Sequence, residues 1–376
     1  MAEPTAQYQR VIVTGQSGIN KKDYVNKVLE SCKDKKIEMF DFGEAMYEEA
    51  RKSGAKIQPG KILSLSLLRL NMIRRSVFKD LIRICEKKPG CNILVNTHSC
   101  FRWERGLFHT FDFDLVNEFK PSMYLTLIDD VDAIHLRLEM GEDPHAVDFS
   151  LKDIIVWREE EIITTEMVAL AQGKPHYILP RLNPIDTIPK LMFSPNFKKA
   201  YLSFPITKVR DKPDIVEKIQ NFRNEMASKL IVFDPLAIQE KRLLVAAEEA
   251  LQKGKDDIEI DTLGKTLKLR VSDVSAIEKD IDGQIISRDF KLIEQSDMIV
   301  AFIPEVKGEP DISAGVQSEI QYGHELPREV YVIWLSEKNP SVWVQKMATK
   351  VFQGSDSFDE CLKFFEEKGF LSHPSG

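Results

Sequence analysis

Two tandem α/β domains, each built on a parallel sheet in three layers, are what this sequence predicts. Three observations carry that prediction. Short apolar runs alternate with helical patterns through both halves of the chain. A proline-dense stretch separates the halves, with four prolines between Pro180 and Phe197. The length, 376 residues, leaves room for two domains or slightly more at about 150 residues each. The predicted layout is a first domain at residues 1–180, an extended linker at 181–198 and a second domain at 199–376.

In the first half, Arg10-Val-Ile-Val-Thr reads as a buried strand and Asp23 to Lys33 as a helix. A strand at Ile37-Glu-Met-Phe-Asp and a long helix from about Ile62 to Lys87 follow. Asn92-Ile-Leu-Val-Asn, Met123-Tyr-Leu-Thr-Leu-Ile and Tyr177-Ile-Leu are further strands, and Leu151 to Ala171 is a helix. In the second half, strands fit Ala200-Tyr-Leu-Ser-Phe, Leu230-Ile-Val-Phe, Met298 to Ile303 and Val330 to Leu335. Helices fit 213–229, 236–252, 280–295 and 315–326. Two alternating runs around Leu263-Gly264-Lys265 predict an inserted hairpin near 256–272.

Hydrophobic residues make up 43% and charged residues 30%, the balance of a folded globular protein. The net charge of −7 gives no global field that attracts nucleic acid or an anionic membrane, although local basic pockets stay open. The five cysteines (Cys32, Cys85, Cys91, Cys100, Cys361) form no CxxC pair and are odd in number, so reduced thiols are expected rather than disulfides or a thiolate metal site. No apolar run approaches the ~18 residues of a membrane span. The opening MAEPTAQYQR lacks an apolar signal core, and a cytoplasmic protein is expected.

The stretch Val11-Ile-Val-Thr-Gly15-Gln-Ser17-Gly18-Ile-Asn20-Lys21-Lys22 leads from a strand into a helix. A loop there aims backbone N–H groups at phosphate oxygens, and its lysine reaches the outer phosphates. The pattern G-x-x-x-x-G-K-[ST] is met at Gly15 and Lys21 but not at Asn20 or at Lys22, where a magnesium-binding hydroxyl belongs. With Asn96-Thr-His98-Ser-Cys-Phe-Arg102, and with a strand and helix leading to Arg137, this half resembles the archaeal-type adenylate kinase family over roughly residues 10–180. The resemblance implies a nucleotide or phosphate site at Gly15, Ser17, Gly18, Lys21, His98 and Arg102, with ATP or another nucleotide as the ligand. That family's lid carries arginines, whereas Glu139-Met-Gly-Glu-Asp-Pro-His-Ala is acidic here, so binding without efficient phosphoryl transfer is expected. His98 and Arg102 fit equally well as hydrogen-bonded residues at the core's edge.

In the second half, a helix bearing Arg288-Asp289 runs into Ser296-Asp-Met-Ile-Val-Ala, followed by Ser313-Ala-Gly315-Val-Gln-Ser-Glu319-Ile-Gln-Tyr322-Gly. This succession, with Tyr201-Leu-Ser-Phe204-Pro, resembles the nucleoside 2-deoxyribosyltransferase family, especially its 2′-deoxynucleoside 5′-phosphate N-hydrolase branch, over about residues 199–335. The resemblance implies Glu319 as the nucleophile at the sugar C1′ and Asp289 as the acid that assists the departing base. It implies substrate contacts from Tyr201, Phe204, Arg288, Asp311, Ser313 and Gly315, no cofactor or metal for the chemistry, and a homodimer or higher oligomer. A serine at 313 favours a nucleoside 5′-monophosphate, because an acid there would repel the phosphate. On residue chemistry alone, Glu319 is also an ordinary helix-start carboxylate, Arg288-Asp289 a surface ion pair and Ser313 a helix cap. A non-catalytic nucleotide sensor and a nucleoside monophosphate kinase are the competing functions.

Overall fold

The computed structural model describes residues 8–371 apart from 55–56, 58–61, 63–64, 104–105, 142–148, 195–196 and 207–208. Most of the acidic stretch at 139–146 lies outside the described residues. The chain divides into two compact units, residues 1–185 with 238–282, and residues 186–237 with 283–376.

The first unit is built on five parallel strands. In spatial order they are Ile37–Asp41, Asn92–Asn96, Arg10–Thr14, Met123–Ile128 and His176–Pro180. Strand Arg10–Thr14 is central, and its residues 11–14 are all buried, as they must be in a parallel sheet covered on both faces. Ile12, Val95 and Tyr124 share one core cluster with Phe42, Val77, Phe78, Leu81 and Phe119, so helices Phe42–Lys52, Leu67–Lys87 and Phe113–Phe119 close one face. Helix Leu67–Lys87 starts later than the apolar pattern suggests, because Ser66 caps it by accepting from the Arg69 amide. The short hairpin Cys100–Trp103 with Gly106–His109 left no legible sequence pattern.

Residues 238–282 complete this unit. They comprise helix Lys241–Gln252, hairpin strands Asp257–Thr262 and Lys265–Arg270, and helix Val271–Ala276. The hairpin turns at Leu263 and Gly264, both at positive φ, as a two-residue turn requires. Glu240 fastens the segment. Its carboxylate accepts from both terminal nitrogens of Arg158 at 2.6 and 3.0 Å and from the Val131 amide at 3.0 Å. Asp132 adds bonds from Arg242 and from Thr262 Oγ1.

The second unit's strands lie in the order Lys350–Gln353, Glu329–Trp334, Met298–Ile303, Lys199–Ser203, Ile231–Phe233, again all parallel. Counted along the unit this is the order 2-1-3-4-5 of a doubly wound sheet, with its switch point between Lys199–Ser203 and Met298–Ile303. Helices Pro213–Lys229 and Ser357–Glu367 pack Ile219, Phe222, Cys361 and Phe365 onto Leu202, Val300 and Tyr331. The proline-rich stretch is not extended throughout. Helix Thr187–Phe193 forms inside it, with Pro189 in the first turn, where a missing N–H costs no helical bond.

Candidate functional site

The phosphate loop follows the central strand of the first unit. Gly15 takes φ 142° and a Cβ there would stand 2.7 Å from the Leu127 carbonyl oxygen, so only glycine fits. Asn20 adopts the left-handed conformation at φ 58°, one that asparagine tolerates well. A glycine would take this conformation as readily, so the departure from the motif at position 20 brings no backbone strain of its own. Arg137 donates to the Gly18 carbonyl at 3.0 Å while pairing with Asp129 at 2.7 Å, which holds the loop from outside. Helix Lys21–Ser31 starts at the loop's end, placing its unbonded first-turn N–H groups there.

A cavity of about 890 Å³ opens at this loop, at the upper end of the range for small-molecule sites. Ser17, Gly18, Lys21 and His98 line its polar end, while Phe42, Leu70 and Phe108 supply apolar wall. Lys21 is buried, with Nζ donating to the Gly15 carbonyl at 2.5 Å and lying 3.2 Å from His98 Nε2. Burial pulls the Lys21 pKa down to about 8, against the attraction of Glu161 and Asp41. Burial and the adjacent ammonium push His98 well below the usual imidazole range. Lys22 pairs with Glu44. A lysine at that position supplies no hydroxyl for magnesium, so the residues present do not fit that ligand role. Arg102 stands apart from Lys21, in a bidentate ion pair with Glu160 at 2.6 Å for both contacts.

In the second unit the structure brings Tyr201, Asp289 and Glu319 together and adds Ser203. Tyr201 and Ser203 lie two apart on the strand at the switch point, hence on one face. The Tyr201 hydroxyl donates to Glu319 at 3.0 Å and the Ser203 hydroxyl at 2.5 Å. Ala200, Leu202 and Phe204 point the other way, and Phe204 packs in the core against Phe222 rather than beside the carboxylates. Arg288 donates weakly to Asp289, at 3.3 and 3.4 Å.

Burial raises the Glu319 pKa to about 8, and the neighbouring Asp289 adds to the rise while the Ser203 and Tyr201 hydroxyls oppose it. Burial raises Asp289 to about 6 against the pull of Arg288. Helix Ala314–Glu325 carries Glu319 and is capped by Ser313, whose Oγ accepts from the Val316 amide at 3.3 Å. Asp311 pairs with Lys212 at 3.3 Å beside a smaller hollow of about 400 Å³, while Gly315 is exposed in the helix's first turn.

Sequence reasoning missed Ser203, although its two-residue spacing from Tyr201 was a usable signal. It also missed Glu161, which sits inside the run Glu159-Glu160-Glu161 and reads as part of a solvated face. Only the packing reveals that this one acid is 1% exposed.

Residues 14–154 match the family described as AAA domain. No curated protein matches the chain. Among solved structures, shikimate kinase from Acinetobacter baumannii, determined in complex with shikimate, is 14% identical over 50% of this chain and 95% of its own, with a TM-score of 0.33. Shikimate kinase from Bacteroides thetaiotaomicron is 12% identical over 46% and 85% of the two chains, at 0.29. The tunicamycin resistance protein of Deinococcus radiodurans is 13% identical over 45% and 97%, also at 0.29. No helix among the described residues is long and apolar enough to cross a membrane. Residues 14–154, which match the AAA domain family, include the strand–loop–helix segment from Gly15 to Lys21 on the first unit's parallel sheet.

Proposed function

We propose that the second unit cleaves the N-glycosidic bond of a nucleoside or nucleoside 5′-monophosphate, and that the first unit binds a nucleotide at Lys21. One observation supports the cleavage reading above all. A half-buried carboxyl, Glu319, is held by two hydroxyls at the sheet's switch point with a second carboxyl, Asp289, beside it. Ionised Glu319 attacks C1′ as the C1′–N bond breaks, forming a glycosyl ester, and Asp289 gives its proton to the departing nitrogen. Water then opens the ester, passing a proton to the Asp289 carboxylate and regenerating Glu319. The first-turn amides near Ser313 and Gly315 suit a 5′-phosphate. Incubation with a panel of nucleosides and 5′-monophosphates, with chromatography for free base, tests the reading. No base released from any of them would sink it.

The two carboxyls titrate as a pair, and the competent form has Asp289 protonated and Glu319 ionised. With Asp289 near 6 and Glu319 near 8, that form is a minority of constant size between those values. Below about pH 6 ionised Glu319 keeps falling with no further gain in protonated Asp289, and above about pH 8 protonated Asp289 keeps falling with no further gain in ionised Glu319. A bell-shaped kcat/KM with limbs near 6 and 8 is the expected profile, and a flat profile across pH 5–9 would contradict it.

A second reading, phosphoryl transfer in the first unit, is favoured by the size of the cavity at Lys21 and opposed by the lysine at position 22. On the binding role, Lys21→Met is expected to weaken ATP affinity by about tenfold or more, the scale of one charge-assisted contact. Base release should be unchanged in that variant. Calorimetric titration with ATP checks this, and equal affinity would remove Lys21 from the site. Phosphate transfer from ATP to a nucleoside monophosphate would favour the kinase reading. ATP binding with neither chemistry would favour a sensor.

A further inference from the structure

We infer that Glu161 is the positioning residue of the P-loop: it fixes the loop's first turn and keeps Lys21 charged. The inference rests on the nucleotide-binding reading of the first unit.

Glu161 lies on helix Leu151–Ala171, outside both the loop and the cavity wall, and is 1% exposed. Its Oε1 accepts from the Gly15 amide at 3.0 Å and the Ser99 amide at 2.8 Å. Its Oε2 accepts from the Cys100 amide at 3.0 Å and the Cys100 thiol at 3.1 Å. One carboxylate thus joins the start of the phosphate loop to the turn that carries His98. The clamp is itself anchored, because the Glu161 carbonyl accepts from Ser99 Oγ at 2.9 Å and Thr165 Oγ1 at 2.8 Å. Thr165 in turn meets Thr14 at 2.9 Å, at the end of the central strand.

A buried carboxylate with no cation in direct contact is costly unless N–H dipoles and a nearby positive charge compensate it. The amides do the first and Lys21 the second. Four groups face Lys21: the Gly15 carbonyl, the neutral His98, Glu161 and Asp41. The Gly15 carbonyl and the two carboxylates favour its ammonium form, and Glu161 is the larger of the two charged influences. Removing that charge leaves desolvation less opposed, so Lys21 gives up its proton at lower pH.

The test uses the full chain and Glu161→Gln, which keeps the size and one set of acceptors but loses the charge. NMR titration of the Lys21 side chain should place the wild-type transition near 8 and the variant's lower by about one unit or more. ATP affinity at pH 7.5 should fall by about threefold or more in the variant and recover to within about twofold at pH 6. Glu161→Asp separates geometry from charge. It should keep the Lys21 transition within about half a unit while still weakening ATP at every pH. A Lys21 transition unmoved in Glu161→Gln would overturn the inference. Loss of ATP binding at every pH with no recovery at pH 6 would do the same. A wild-type chain that binds no ATP would defeat the nucleotide reading alone, because the Lys21 titration still reports on Glu161.

Discussion

Glu319→Gln should abolish base release, with a loss of about a thousandfold or more, because an amide cannot form the glycosyl ester. The fold should survive, and the linkage between protonation and stability gives a way to show it. Glu319 titrates near 8 in the folded chain and near 4.5 when unfolded, so the folded state holds the extra proton between those values. Stability therefore falls as pH rises through that window, and the cost of the buried charge is complete above about pH 8. The glutamine variant lacks that slope. It should match wild type near pH 4 and exceed it in melting temperature at pH 9. Wild-type rates in Glu319→Gln would remove this residue from the chemistry. Lower stability at pH 9 would mean that the carboxylate is compensated by something other than its two hydroxyl donors.

The largest stability effect is expected at Glu240→Ala. Arg158 and Glu240 are nearly inaccessible, at 4% and 1% exposure. The truncation leaves a buried guanidinium without its carboxylate and a Val131 amide without its acceptor. Breaking such a pair from one side costs about 3–5 kcal/mol. Replacing both partners by apolar residues of similar volume should cost much less, since the desolvation of the two charges is then removed as well. Denaturant unfolding of the single and double variants measures both. A loss below about 1 kcal/mol in Glu240→Ala would show that water reaches the pair.

Much of the fold was legible because parallel sheets bury their strands on both faces, so Arg10–Thr14 and Met298–Ile303 stand out as apolar runs. Helices 151–171 and 213–229 fall where the sequence places them. Helix Thr187–Phe193 was obscured because prolines in a first turn look the same in sequence as prolines in a linker. The proposed sites draw on residues grouped in sequence motifs, as in Gly15 to Lys21 and Asp289 to Glu319. They were not legible where contacts bridge distant positions. Ser203 meets a carboxylate 116 residues away and Glu161 clamps an amide 146 residues away, and neither partner is marked by its spacing in the sequence.

The return of residues 238–282 to the first unit sets a schedule for the ribosome. When residue 185 has been made, five strands of the first sheet exist, yet Arg158 still lacks the acid that stands 82 positions downstream. Synthesis at about 5–20 residues per second leaves that guanidinium without the Glu240 carboxylate for several seconds. During that interval the chain also makes the first two strands of the other sheet, Lys199–Ser203 and Ile231–Phe233. They wait in turn for Met298–Ile303, the strand that lies beside Lys199–Ser203. Neither unit can be completed before synthesis of the other has begun.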